Sequence, residues 1–311
     1  MGDTRIEWAT KVWNPVTGCS KVSPGCKNCY AERMAKRLAG RFGYPKDNPF
    51  KVTLHHDRLD EPLKRWRKPQ MVFVCSMGDL FHDDVPFEFT DDVFENIAVC
   101  QSHTFLILTK RPERMQRWFE TVTERRPMPG QGVCTGGPPF CIGEPDHDAS
   151  VGYCGAPWPL PNVWLGVTAE NQEMVNKRIP ILLQIPAAKH FVSVEPMLGP
   201  VNLTRIDLGP NGYGLTFELD ALTGWATGYS ENSGRPRVHR NDQFAKLDWV
   251  ICGAESGHGA RPADPNWVRN LRDQCVTAGV PFFFKGWGWA RQKKTDRLLD
   301  GREWNERPEV S

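Results

Sequence analysis

The chain has 311 residues with 40% hydrophobic and 24% charged content, enough to bury a large core as one barrel-sized domain or two smaller ones. Its formal charge of +2 is too small to announce a nucleic-acid binder by itself, and no uninterrupted apolar run approaches a membrane span, so a soluble protein is expected. Ten cysteines (19, 26, 29, 75, 100, 134, 141, 154, 252 and 275) would suit disulfides, but Met1 to Glu7 carry no apolar signal segment, and a reducing, cytoplasmic compartment is expected instead.

In chain order, a short strand near Lys11-Val12-Trp13 precedes a cysteine-bearing loop, Gly18-Cys19 through Pro24-Gly25-Cys26-Lys27-Asn28-Cys29-Tyr30. Pro24 and Gly25 bend the loop so that Cys26 approaches Cys19, and the helix-like Ala31–Leu38 follows at once. Three thiolates suit a [4Fe–4S] cluster with one iron left open for a substrate or cofactor. A zinc site is the competing reading and needs a fourth ligand such as His55, His56 or another cysteine. Between Arg33 and Lys68 stand eleven Lys or Arg against four Asp or Glu, with Phe42, Tyr44, Phe50 and Trp66 interleaved. Such a stretch would track a DNA or RNA backbone while rings stack on bases; a solvated face is the alternative. A further basic run, Arg291-Gln292-Lys293-Lys294, carries the same two readings.

Short apolar runs then recur at Met71–Cys75, Thr104–Leu108, Val163–Val167, His190–Val194, Trp249–Cys252 and Val280–Phe284. They read as doubly buried strands of a parallel sheet. The fold class expected is α/β, a complete or partial (β/α) barrel formed as one domain, with an open doubly wound sheet as the alternative. Two insertions interrupt the repeat. One, at about 121–161, is rich in Gly and Pro and holds Cys134, Cys141, His147 and Cys154, a possible additional zinc or cluster site; the other, at about 209–243, reads as an inserted hairpin. Polar side chains follow nearly every strand: Ser76 and Asp79, Thr109 to Arg111, Thr168 and Glu170, Glu195, Glu255 and Lys285. In a parallel barrel these ends converge on one face.

The opening Trp8 to Cys19, the triad Cys19/Cys26/Cys29 with Tyr30, Val194-Glu195-Pro196, Asp248 to Gly257, and Pro281 to Gly288 together carry a resemblance that covers most of the chain. It resembles the phage-associated three-cysteine-motif family, radical-S-adenosylmethionine-like and distantly similar to spore photoproduct lyase. The resemblance implies a [4Fe–4S] cluster on Cys19, Cys26 and Cys29, reductive cleavage of S-adenosylmethionine to a 5′-deoxyadenosyl radical, an electron donor, and action on a nucleobase or nucleic acid. The common radical-enzyme motif spaces its first cysteines more closely, and Asn28 stands here where an aromatic residue is usual. Ser76-Met77-Gly78-Asp79 resembles the turn that binds the methionine amino group, with Asp79 in place of Glu. Tyr30, Ser76, Asp79, Glu195 and Glu255 are thus the candidate cofactor-binding residues, and Cys75, Cys252, Lys110 and Lys285 the candidate catalytic ones. A non-catalytic, zinc-stabilised phage protein that binds nucleic acid or a protein partner is the alternative function.

Overall fold

In the computed structural model, residues 4, 6–125, 158–210, 215–230, 236–237, 244–288 and 294–310 are described. Seven strands form one sheet: β1 Lys11–Trp13, β2 Met71–Val74, β3 Thr104–Thr109, β4 Val163–Thr168, β5 Lys189–Val194, β6 Trp249–Cys252 and β7 Phe282–Phe284. They pair in chain order and always parallel, and the sheet curls into a partial barrel. Among the described residues six α-helices accompany it: α1 Tyr30–Leu38, α2 Glu61–Arg65, α3 Phe87–Val99, α4 Pro112–Arg125, α5 Gln172–Leu182 and α6 Pro265–Ala278. The expected parallel α/β partial barrel is therefore what the chain adopts. Helix ends follow local chemistry: Asn171 and Asp264 accept from the backbone N–H of Met174 (3.0 Å) and Asn266 (2.8 Å), capping α5 and α6.

Side chains alternate across a strand, and here the alternation sorts two cores. Val72, Val74, Ile107, Leu165, Val167, Val192, Val194 and Val250 pack with helix residues such as Val93, Ile179 and Leu271 on the outer face. Leu106, Trp164, Phe191, Trp249, Ile251 and Phe283 point the other way, into the concave side. Gly166 is required there, because a Cβ at that position would lie 2.5 Å from the Phe191 ring. Trp8 floors the concavity, its ring 4.6 Å from Phe73 on β2 and 6.3 Å from Trp249 on β6.

β1 and β7 do not pair with each other. On the free edge of β7, Phe284 N–H donates to Trp304 O (2.8 Å) and Phe283 bridges Asn305 antiparallel. Arg307 donates to Glu7 O, and Arg297 stands 3.4 Å from the Glu7 carboxylate. Segments around Glu7 and Trp304 thus meet on the open side of the partial barrel. The second insertion is a four-stranded antiparallel sheet between β5 and β6, built from Ile206–Pro210, Leu215–Asp220, Trp225–Ser230 and Pro236–Arg237. Most of the first insertion, including Cys134, Cys141, His147 and Cys154, lies outside the described residues, as do Arg291 to Lys293. No described helix is long and apolar enough to cross a membrane.

On α3, burial pushes the Glu95 carboxyl from an ordinary 4.5 up to about 7, with Asp92 and Asp91 adding to the effect. The folded state therefore keeps a proton that the unfolded chain releases. That contribution is present below about pH 4.5 and is lost as pH rises through about 7. Glu95→Gln should raise the melting temperature relative to wild type at pH 8, with a smaller gain at pH 5. Thermal melts at the two pH values check this, and an equal gain at both would discard the carboxyl as the cause.

Candidate functional site

The residues between β1 and α1 lie across the C-terminal edge of the sheet. Asn14 begins the segment: its Oδ1 accepts from Met77 N–H (3.0 Å) and Ser76 Oγ (3.2 Å), joining it to the turn after β2. Parallel pairing resumes at Gly18 with Gly78. Gly18 has φ +85°, and a Cβ there would lie 2.2 Å from Lys51 O, so no other residue fits. Pro24 opens a single 3₁₀ turn, Pro24–Cys26, and Cys29 occupies the N-cap of α1. All three cysteines are free and half-buried.

Side chains from three strand ends grip this loop at three points. Arg111, two residues past β3, donates from Nη1 to Cys19 Sγ (3.4 Å) and from Nη2 to Ser20 Oγ (2.8 Å) and Ser20 O (3.2 Å). Glu170, two residues past β4, is fully buried and accepts from Gly25 N–H (2.9 Å), while Arg178 of α5 pairs with its other oxygen (3.0 Å). A Cβ on residue 25 would lie 2.9 Å from that first oxygen. Glu255, three residues past β6, accepts from Asn28 Nδ2 (2.8 Å) and is clasped by Arg261 through Nε (2.8 Å) and Nη2. Although burial opposes it, the Arg261 and Asn28 hydrogen bonds hold the Glu255 carboxyl at about 2. Asn28 also donates to Gly259 O (3.0 Å), and Arg33 of α1 to Ser256 O (2.9 Å).

Around Cys19, burial and the Asp79 charge raise the thiol to about 11 against the pull of Arg111. A cleft of about 400 Å³ opens beside it, walled by Ser20, Lys21, Glu32, Phe50, Lys51 and His82. His82 Nδ1 accepts from Asp84 N–H (3.0 Å), which leaves the ring proton on Nε2, directed at Ser20 Oγ (2.7 Å). Burial and Arg111 hold that imidazole below its ordinary value, so the neutral form is favoured. With the proton on Nε2 the dyad lacks the polarity of a serine nucleophile and its base.

The expected site residues separate into groups. Asp79 does not offer itself to an ammonium group: Phe81 N–H (3.0 Å) and Thr109 Oγ1 (2.8 Å) donate to Oδ1, and Lys110 N–H (3.3 Å) and Arg111 Nη1 (3.0 Å) to Oδ2. A carboxylate has about four lone-pair sites, and the chain fills them. Glu255 is filled in the same way. Glu195 is different: it meets Lys285 Nζ at 2.5 Å, and both side chains remain partly exposed. Cys252 lies in the outer, helix-side core, whereas Cys75, just past β2, is buried against Val16 O with the Asp79 and Cys19 groups close enough to act on it; burial raises both thiols. Ser76 is taken by Asn14, and Tyr30, beside Cys29, is 56% exposed. Sequence reasoning noted Arg111 and Glu170 as polar strand ends without placing them on the loop; Arg261, in a loop of its own, carried no signal.

Among the described residues no three His, Cys, Asp or Glu side chains converge as a group that could hold a metal ion. One tetrahedral zinc needs thiolate sulfurs within about 4 Å of one another, given Zn–S bonds of about 2.3 Å. A four-iron cluster takes one thiolate per iron, so its ligands stand farther apart. Three free half-buried thiols on one anchored loop, with a guanidinium on the first sulfur, are the donors available to either group.

Residues 3–308 match the family described as "Protein of unknown function (DUF5131)". The chain belongs to that family. No curated protein and no solved structure matches it.

Breaking the buried Glu170–Arg178 pair strands one charge, which typically costs about 3–5 kcal/mol, and also frees Gly25. Glu170→Ala should therefore lower stability by that order in urea unfolding. A loss below about 1 kcal/mol would mean that water reaches Arg178.

Proposed function

We propose that this chain is an iron–sulfur enzyme of the radical S-adenosylmethionine type that modifies or repairs a nucleobase or nucleic acid in a phage context. The observation that carries the reading is the cysteine loop itself: three free thiols on the C-terminal edge of a parallel partial barrel, held by side chains from three strand ends. Cys19, Cys26 and Cys29 would hold a [4Fe–4S] cluster, whose chemistry, once an external donor has reduced it, is one-electron cleavage of S-adenosylmethionine.

The chain's own residues have separable tasks in this reading. Arg111, Glu170 and Glu255 keep the thiols in place, and Asp79 holds Arg111. Lys285 and Glu195 sit side by side past β7 and β5, with a Cβ on Gly253 only 3.2 Å from Lys285 Cβ. An ammonium and a carboxylate together would complement the amino acid end of the cofactor, Lys285 holding its carboxylate and Glu195 its amino group or ribose hydroxyls. Lys110, whose N–H donates to Asp79 (3.3 Å), is the further candidate for a role toward the substrate. Trp8, Trp249 and Phe283 give the concave face an apolar floor that would exclude water from the site.

Anaerobic reconstitution should yield about four irons per chain, and reduction in the presence of S-adenosylmethionine should release 5′-deoxyadenosine. Replacing all three loop cysteines with alanine should abolish both. Stoichiometric zinc without iron would sink the proposal in favour of a zinc-stabilised binding protein. Glu195→Gln should weaken S-adenosylmethionine binding by about tenfold or more, the loss of one charged hydrogen bond, at unchanged iron content. Unaltered affinity would remove Glu195 from the cofactor site.

A further inference from the structure

We infer that Phe42 is a base-stacking residue for single-stranded nucleic acid, set on a basic lobe of Arg37, Arg41 and Lys46 at the far end of the helix that leaves the cysteine loop. The inference rests on the nucleic-acid substrate of the reading above and locates where that substrate is gripped.

After α1 ends at Leu38, the chain reverses in a tight loop. Arg41 N–H donates to Leu38 O (2.9 Å), Tyr44 N–H to Arg41 O (3.0 Å) and Gly40 N–H to Tyr44 O (3.0 Å). Tyr44 is buried and packs with Ala31, Ala35 and Met77. Gly40 and Gly43 take the positive φ that glycine tolerates, but Phe42 between them also has φ +52°. For a bulky residue that conformation is an outlier. The same side chain is 68% exposed, so no packing within the chain offsets the strain. Arg58, itself buried, donates to Phe42 O and to Asn14 O (3.2 Å). The strained tip is thereby tied to the root of the cysteine loop. Backbone strain imposed by its surroundings and concentrated on an exposed side chain is a mark of a functional position.

The partner follows from what the neighbouring residues leave free. Of the four aromatic residues interleaved in the basic segment, Tyr44 is buried, Phe50 packs on the Ala31–Ala35 cluster, and Trp66 packs on the main core with its edge toward His103 (5.9 Å). Phe42 alone presents its ring to solvent. Of the cations, Lys64 pairs with Asp60, Arg65 with Glu61 (3.3 Å) and Lys36 with Glu32 (2.8 Å), and Arg58 is buried. Arg37, Arg41 and Lys46 enter no ion pair among the described residues, and no Asp or Glu occurs between Arg33 and Lys46. The basic segment is therefore uneven: between Lys51 and Lys68 six cations stand among Asp57, Asp60 and Glu61, with Lys64 and Arg65 paired, whereas between Arg33 and Lys46 five cations stand with no acid among them and only Lys36 pairs, with Glu32. Cations that track phosphates around a single protruding ring fit an unstacked base. In a duplex each base face is already covered by its neighbour, so the fit is to a single strand. Tyr30, exposed at the other end of the nine-residue α1, lies about 13 Å along the helix axis and next to Cys29.

The test is fluorescence-anisotropy titration of a labelled single-stranded DNA oligonucleotide, with RNA and duplex DNA as parallel arms, across a salt series. It uses the full 311-residue chain at measured iron content and without S-adenosylmethionine. Phe42→Ala should weaken single-strand binding at least about fivefold, the lower end of one stacked base, with an unchanged salt slope. Phe42→Trp should retain the affinity. Arg37→Gln with Arg41→Gln should flatten the slope, because fewer counterions are released. Phe42→Gly relieves the left-handed strain and should raise the melting temperature while binding as poorly as the alanine variant. Unchanged affinity in Phe42→Ala, or equal affinity for duplex, overturns the inference. If wild type binds no single strand at low salt, the inference falls while release of 5′-deoxyadenosine still stands or falls separately.

Discussion

The cysteine loop has no regular ladder to hold it beyond Gly18, and everything proposed for this protein depends on how it is anchored. Buried charge does that work. Arg111, Glu170 and Glu255 each come from a different strand end, and each bonds a group of the loop: a sulfur and a hydroxyl, a backbone N–H, a side-chain amide. Each is in turn neutralised by a partner on the scaffold, Asp79, Arg178 and Arg261 respectively. An ion buried without its partner is costly, so loop and scaffold hold one another in register.

This arrangement changes what the carboxylates mean. Three acids after three strands look alike in sequence, and a parallel barrel brings them all to one mouth. Their lone pairs distinguish them. Asp79 and Glu255 are saturated by groups of the chain, so they act as struts, whereas Glu195 keeps acceptor capacity and a cationic neighbour. A functional carboxylate is thus recognised by what it has left unbonded.

The two-residue period of the strands makes a similar division among the cysteines. Cys252 and the sheet valines share the outer face with the helices, while the concave face is given to Trp164, Phe191, Trp249 and Phe283. A thiol only one residue from the concave set is on the opposite side of the sheet. Strand-end position alone could not assign Cys75 or Cys252 to the mouth.

Much of the architecture was legible in the chain itself. Runs such as Val163–Val167 and Trp249–Cys252 are apolar on both faces, which suits only a doubly covered parallel strand, and the Gly18–Cys29 spacing marks a loop built around thiols. The alternation Leu215 to Leu219 marked one inserted strand, but the hairpin expected there is part of a four-stranded sheet that begins at Ile206. What sequence could not decide was pairing across distance. Glu170 reaches Gly25 over 145 positions and Glu255 reaches Asn28 over 227. Phe42 looks no different from Tyr44 or Phe50 until packing covers the others. Periodicity is a local property of a chain, fixed by backbone geometry; the use of a lone pair or a ring face is settled by whichever distant group the fold brings against it.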